Sequence, residues 1–218
     1  HSSSSGRASG IVMLSAAIIT LIFFAGHPSP HTNDLAGVVE AIADQAIRNE
    51  TVHGVLIGTI GMLLIGLIGF AQRLGMRSMN VYAGMVSYGV GTIALMAAAT
   101  INGVIVTRLV LDYQGKSAAM LESLRPLLVL CHQANTACDH IGIFAWSIGV
   151  GLWSIAMARK YSDGTRLIGV FGVVLGMLPP ILLLAGQLPM SIHGFGMFLL
   201  GQMAWSIAVA VQLIRGRI

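Results

Sequence analysis

The sequence predicts an all-α, polytopic membrane protein with six transmembrane helices. The 218 residues are 56% hydrophobic and only 9% charged, whereas average soluble domains carry about 25% charged residues. Six separate stretches approach the length of about 20 mostly apolar residues that a helix needs to cross a bilayer. The chain also contains 27 glycines, which let packed membrane helices approach each other closely.

Short polar turns or proline-containing connections separate the predicted spans. Pro126 marks the start of the fourth span, because proline is favoured in the first helical turn. Pro179 and Pro180 predict a kink in the fifth, because each removes a backbone hydrogen bond. The spans cover residues 10–26, 52–72, 81–105, 126–158, 167–185 and 192–214.

The predicted organisation is one transmembrane domain over residues 10–218, preceded at residues 1–9 by a tag remnant and a cytoplasmic amino terminus. The first span is expected to be a retained helix, because residues 24–28 form a poor signal-peptide cleavage site. Residues 27–51 form an outer connection whose apolar side chains recur at helical spacing. This pattern predicts a short amphipathic surface helix between the first two spans, capped by Asn33 or Asp34.

The basic residues are divided unequally between the two ends of the predicted bundle. One end has eight basic residues and one acid, and the other has four basic residues and seven acids. Cytoplasmic loops of membrane proteins carry an excess of lysine and arginine. We therefore expect a multi-pass protein of the inner (plasma) membrane with both termini in the cytoplasm. The basic end, called the arginine end below, contains Arg7, Arg73, Arg77, Arg159, Lys160, Arg166, Arg215 and Arg217.

Three spans open with a histidine at the opposite end, called the histidine end below. His53, His140 and His193 lie 20, 19 and 22 residues from the arginine that closes the same span. At about 1.5 Å per residue, each imidazole is about 30 Å from the arginine end. The three rings are therefore predicted to lie at one depth, near the outer membrane boundary.

Similar openings and a recurring segment indicate three related helical hairpins. His53-Gly54 and His193-Gly194 open two spans alike, and Asp139-His140 opens another. The segment Trp-Ser-Ile-Ala occurs at Trp153 and again at Trp205. Internal repeats of this kind are typical of transporters.

The favoured functional hypothesis is an outward-facing metal site, either catalytic, in a hydrolase or oxidoreductase, or for metal handling. Three imidazoles with an open fourth position are typical of catalytic zinc, and the thiols of Cys131 and Cys138 would favour reduced copper. A continuous helix keeps these thiols about 10.5 Å apart, and therefore free. Asp139 or Glu50 is the candidate catalytic base or ligand-orienting group. The predicted metal ligands are His53, His132, His140 and His193.

A b-type haem is the first alternative. Two of the candidate cofactor-binding residues His53, His140 and His193 would hold the iron, which implies electron transfer. The apolar helix that opens with His53-Gly54 and ends at Arg73 resembles a cytochrome b561-type helix over about twenty residues, without the rest of that pattern.

A metal-free small-molecule transporter is the second alternative. The absence of charged residues deep within the spans speaks against it, because coupling groups are usually found there. The expected partners are the lipid bilayer, a small-molecule or lipid substrate and a second copy of the chain. Nucleic acid is not expected, because no basic cluster with interleaved aromatic residues is present.

Several polar and aromatic residues have a simpler structural interpretation. His27 and His31 are expected to be loop residues, and Asn102 is expected to lie at a solvated helix end. Trp153 and Trp205 lie near the arginine end, where tryptophan commonly anchors a span at the membrane interface.

Overall fold

The structure, a computed structural model, confirms the predicted fold class. It describes residues 3–28, 34–188 and 192–218, which are 88% helical and contain no strand. Within these ranges, six helices are long and apolar enough to cross a membrane. The protein is therefore a multi-pass α-helical membrane protein.

The described ranges contain eight α-helices and one π-helical segment, which interrupts the third span. The helices are α1 Ser3–Ala25, α2 Leu35–Asp44, α3 Ala46–Leu74, α4 Met79–Thr100, α5 Val106–Tyr113, α6 Ala118–Lys160, α7 Gly164–Leu184 and α8 Ile192–Ile214, with the π segment at Ile101–Ile105.

The short helix predicted between the first two spans is α2. The Asp34 side chain caps it by accepting a hydrogen bond from the Gly37 N–H at 2.7 Å. Its buried residue Val39 packs with Val110 of α5 and Leu124 of α6 in a small apolar cluster. The cluster fixes α2 and α5 against the first turns of α6 at the histidine end.

Three helices begin six or more residues earlier than predicted, and the first of them, α1, starts at Ser3 instead of residue 10. α3 starts at Ala46, six residues before the predicted span, and α6 starts at Ala118, so that Pro126 lies inside the helix. Because proline has no backbone N–H, the carbonyl of Glu122, four residues earlier, lacks its helical hydrogen-bond donor. Both Pro126 and Glu122 are exposed, so water can satisfy this carbonyl. The 43 residues of α6 span about 64 Å, well beyond a hydrocarbon core of about 30 Å.

A cluster of aromatic rings fills the bundle towards the arginine end. Trp153 and Trp205 stack with centroids 6.3 Å apart, and Phe70 meets both rings edge-on. Both tryptophans are 0% exposed, so the prediction that they are interfacial anchors is wrong. Trp153 donates its indole hydrogen to the Val81 carbonyl at 3.1 Å, which satisfies its polar atom inside the bundle. Gly172 makes room for Trp205, whose indole a Cβ at this position would overlap.

The last residue of α6 ties that helix to α3. Lys160 Nζ donates hydrogen bonds to the carbonyl oxygens of Arg73 and Leu74 at 3.1 and 3.3 Å. Carbonyl groups in the last turn of a helix have no donor within that helix, and a cation is favourable there. The arginine end is thus closed by polar contacts as well as by packing.

Candidate ligand chamber at the histidine end

A chamber of about 240 Å³ lies between α1, α3, α4, α6 and α8. Polar residues line its part nearer the histidine end, and mainly apolar residues, together with Thr20, line the part deeper in the bundle. We call it the histidine chamber. Its principal polar residues are His27, His53, Asn102, His132, Asn135 and Asp139.

Two imidazoles meet in the polar part of the chamber. The Nε2 atoms of His27 and His53 are 3.1 Å apart, and His53 Nδ1 is 2.9 Å from the Asn49 carbonyl oxygen. Because that oxygen can only accept, His53 Nδ1 carries the hydrogen and donates it. His53 Nε2 then has a lone pair, which accepts the hydrogen of His27 Nε2. The two rings thus form a neutral pair with one shared hydrogen.

His27 reaches this position from the turn that follows α1. Its backbone N–H donates to the Phe24 carbonyl at 3.0 Å, and Arg48 Nη2 donates to the Gly26 carbonyl at 2.8 Å. Burial, and secondarily the neighbouring His53, lower the pKa of His27 from 6.5 to about 4, against a smaller opposing effect of the Pro28 backbone. His27 is therefore neutral at pH 7.

The π segment Ile101–Ile105 places an amide beside the histidine pair. Asn102 Nδ2 is 3.4 Å from His53 Nε2, which agrees with an acceptor at that nitrogen. Asn49 donates to the Asn102 carbonyl at 3.3 Å. Gly103 packs directly against His53, whose ring and Cβ a side chain there would overlap. Single π-helical turns frequently occur at functional sites.

The opposite wall of the chamber belongs to α6. Asn135 Nδ2 donates to Asp139 Oδ2 at 2.8 Å, and His132 lies two helical turns before Asp139. Among the residues that the structure describes, no lysine or arginine lines the chamber. Counting histidine as neutral, Asp139 has the only formal charge among these lining residues.

The four predicted metal ligands do not line one cavity. His53 and His132 line the histidine chamber, whereas His140 lines a separate groove on the apolar surface between α4 and α6. His193 is exposed and lines neither cavity. His132 and Asp139 are seven residues apart and share a face of α6, and the next residue, His140, is turned about 100° away. Equal depth therefore does not bring these histidines together.

The structure gives the metal hypothesis no complete ligand set. In the ranges it describes, no three His, Cys, Asp or Glu side chains are grouped so that they could hold a metal ion. Cys131 and Cys138 are free thiols, as a continuous helix requires, and neither lines the chamber.

The two candidate catalytic acids have different surroundings. Asp139 lines the histidine chamber, and Glu50 does not. Glu50 forms a two-point ion pair with Arg108, with Nε 2.8 Å from Oε1 and Nη2 3.2 Å from Oε2. Only Asp139 is thus placed to meet a ligand in the chamber.

Three residues of the site have little signal in the sequence. The sequence pattern predicts a loop residue at His27 and a solvated helix end at Asn102, and it does not distinguish Asn135 from its neighbours. The available signal for His27 was its position at the end of the first span, at the depth of His53. His31 lies outside the described residues.

The chain matches no known protein family, no curated protein and no solved structure. Fold and site therefore define its class, a multi-pass α-helical membrane protein with a ligand-sized chamber at one end of the bundle.

Proposed function

We propose that the protein is a metal-free small-molecule transporter of the inner membrane, with the histidine chamber as its cargo site on the outer side. The main support is that five helices contribute to one chamber with a polar outer part and an apolar inner part. A movement of any of these helices changes access to the chamber, as alternating access requires.

The chamber supports a small ligand better than a porphyrin. Its volume of about 240 Å³ is below the range of about 300–1,000 Å³ typical of ligand pockets. It also contains Asp139, which lies near the outer membrane boundary, where the apolar part of α6 begins. A charge at this level can meet a ligand that enters from the outer side, and deeper in the bundle the proposal relies on uncharged polar groups.

Buried polar atoms continue from the chamber towards the arginine end. Ser147, Ser154, Gln202 and Trp205 are at most 1% exposed, and their side-chain polar atoms have no hydrogen-bond partner among the described residues. Each such atom costs about 1–3 kcal/mol. If polar cargo passes between α6, α7 and α8, these atoms can form hydrogen bonds with it.

The transport proposal is tested by thiol labelling from both sides of the membrane. Ala99→Cys, in a background with Cys131→Ser and Cys138→Ser, places a thiol in the chamber. We expect a membrane-impermeant maleimide to label it from the outer side and, more slowly, from the cytoplasmic side. The measurement is the labelled fraction in sealed vesicles of either orientation.

The matched control is Ile93→Cys in the same background. Ile93 lies on the same helix, is 70% exposed and does not line the chamber, so the bilayer should shield it from both sides. If Ala99→Cys reacts only from the outer side, the protein binds its ligand without transporting it, and the proposal fails.

Metal handling by His27 and His53 is the second candidate function. Their Nε2 atoms are 3.1 Å apart, close to the separation of about 3.3 Å between two nitrogen ligands of a tetrahedral zinc ion. Elemental analysis of the purified protein tests this candidate. About one zinc or copper ion per chain, lost in His27→Gln, would support it, and its absence would remove it. A Soret absorption band in the same sample would instead identify haem.

A further inference from the structure

The charge of the histidine chamber favours a cation. Of the lining residues within the described ranges, only Asp139 has a formal charge, and Asn135 supports it by donating a hydrogen bond at 2.8 Å to one carboxyl oxygen. No other residue of the described ranges bonds to this carboxyl, so its second oxygen is free for a ligand. An anion would face this carboxyl with no basic side chain on the lining to compensate.

The hydrogen-bonding groups of the histidine pair favour a ligand that donates hydrogen bonds and accepts none. In the neutral His27–His53 pair, His27 Nε2 gives its hydrogen to His53, so His27 Nδ1 remains an acceptor, and it is buried without a hydrogen-bond partner among the described residues. A primary ammonium has three donors and no acceptor, as lysine does. The rings of Phe24 and Phe195, with centroids 6.0 Å apart, add aromatic faces to which a cation is attracted.

The deeper part of the chamber is mainly apolar, since the hydroxyl of Thr20 on this part donates its hydrogen to Thr59. Leu56, Ile60 and Leu95 belong to this part, together with Leu199. His53 and Ile60 are seven residues apart on one helix, which gives a depth of about 10 Å below the imidazole. A short alkyl chain would fill this depth.

We infer that the cargo is a small primary ammonium ion with a short alkyl chain, its head at Asp139 and its chain against Leu56, Ile60 and Leu95. The inference rests on the proposed transport only in calling this ligand a cargo. Binding itself is measurable without transport.

The probe is n-hexylammonium chloride, titrated calorimetrically into the full chain in detergent, with empty micelles subtracted. Hexanoate and hexanol have the same chain with a negative or a neutral head. We expect one hexylammonium per chain, with hexanoate and hexanol at least tenfold weaker. From butyl to hexyl, affinity should rise about fourfold for each added methylene.

Asp139→Asn keeps the size of the side chain and removes its charge, and should weaken hexylammonium binding about thirtyfold or more. Glu122→Gln is the matched control, since it removes the same charge from the same helix at an exposed position outside the chamber. Ala99→Leu narrows the chamber and should abolish the preference for hexyl over butyl. This second variant keeps the test decisive if Asp139→Asn does not fold.

Hexanoate binding as tightly as hexylammonium, or equal hexylammonium affinity in the wild type and Asp139→Asn, would overturn the inference. The two proposals fail separately. If hexylammonium binds as expected but Ala99→Cys reacts from one side only, transport is wrong and the ligand class stands. If no ammonium ion binds while Ala99→Cys reacts from both sides, transport stands and the ligand class is wrong.

Discussion

At the scale of single residues, one backbone carbonyl sets the state of the histidine pair. The Asn49 oxygen takes the Nδ1 hydrogen of His53, and this leaves His53 Nε2 as an acceptor for His27. Both rings are therefore bound as neutral imidazoles. A second hydrogen on the pair would put two donors face to face at 3.1 Å.

Acid should destabilise the protein through His27. Burial lowers its pKa in the folded protein to about 4, from 6.5 for an unperturbed imidazole. Below pH 6.5, the unfolded chain therefore binds more protons at His27 than the folded protein does. The contribution of the neutral His27 to the free energy of unfolding is complete above pH 6.5 and declines as the pH falls towards 4. After discounting for partial exposure, we expect a loss of about 2 kcal/mol between about pH 7 and pH 4.5.

Thermal unfolding in detergent over this pH range measures the loss. His27→Gln should flatten the profile, and His193→Gln, an exposed histidine, should leave it unchanged. A profile that is equally steep in the wild type and His27→Gln would show that other groups cause the acid sensitivity.

At the scale of secondary structure, the π segment is the element that shapes the site. Asn102 lies within it and faces His53, and Gly103 allows the two backbones to approach. Helices α4 and α5 continue on either side, so the irregularity is confined to the turn that lines the chamber.

Gly103→Ala should destabilise the protein by about 1–3 kcal/mol, because its Cβ would overlap His53 in a packed interior. Gly54→Ala is the control, since a Cβ there has no neighbour within 4 Å, and alanine is a better helix former than glycine. The measurement is the midpoint of thermal unfolding of each variant, compared with that of the wild type. Unchanged stability in Gly103→Ala would show that the contact with His53 relaxes easily.

At the scale of the whole molecule, the two ends of the bundle are built differently. The stacked tryptophans and the Lys160 contacts close the arginine end, whereas the histidine chamber opens at the other. Six crossings would place residues 3 and 218 on the same side, and the excess of basic residues at the arginine end predicts that this side is the cytoplasm.

Reporter fusions test this orientation. Green fluorescent protein fused after Ile218 should fluoresce, and alkaline phosphatase at the same position should be inactive, because each folds in only one compartment. Phosphatase inserted after Gly115, an exposed turn at the histidine end, should be active. The reverse pattern would place the chamber on the cytoplasmic side.

The number of spans and half of the site could be predicted from the sequence. Apolar length identifies membrane helices directly, and polar residues at helix mouths identified His53, His132 and Asp139. The rotation of α6 could not be predicted, because its lipid-facing and core-facing sides are both apolar, so Asp139 and His140 looked equivalent. The position of His27 depends on the bond between Arg48 and the Gly26 carbonyl, a tertiary contact without a local sequence signal.

Because α6 is so long, it connects the histidine end, the chamber and the arginine end in one helix. Its first turns contact α2 and α5, because Leu124 packs against Val39 and Val110. Its last residue, Lys160, donates hydrogen bonds to carbonyl oxygens at the end of α3. Asp139 lies between these two attachments. Torque applied at Lys160 therefore reaches the chamber wall through uninterrupted helix, whereas torque applied at Leu124 must pass Pro126, where one helical hydrogen bond is missing.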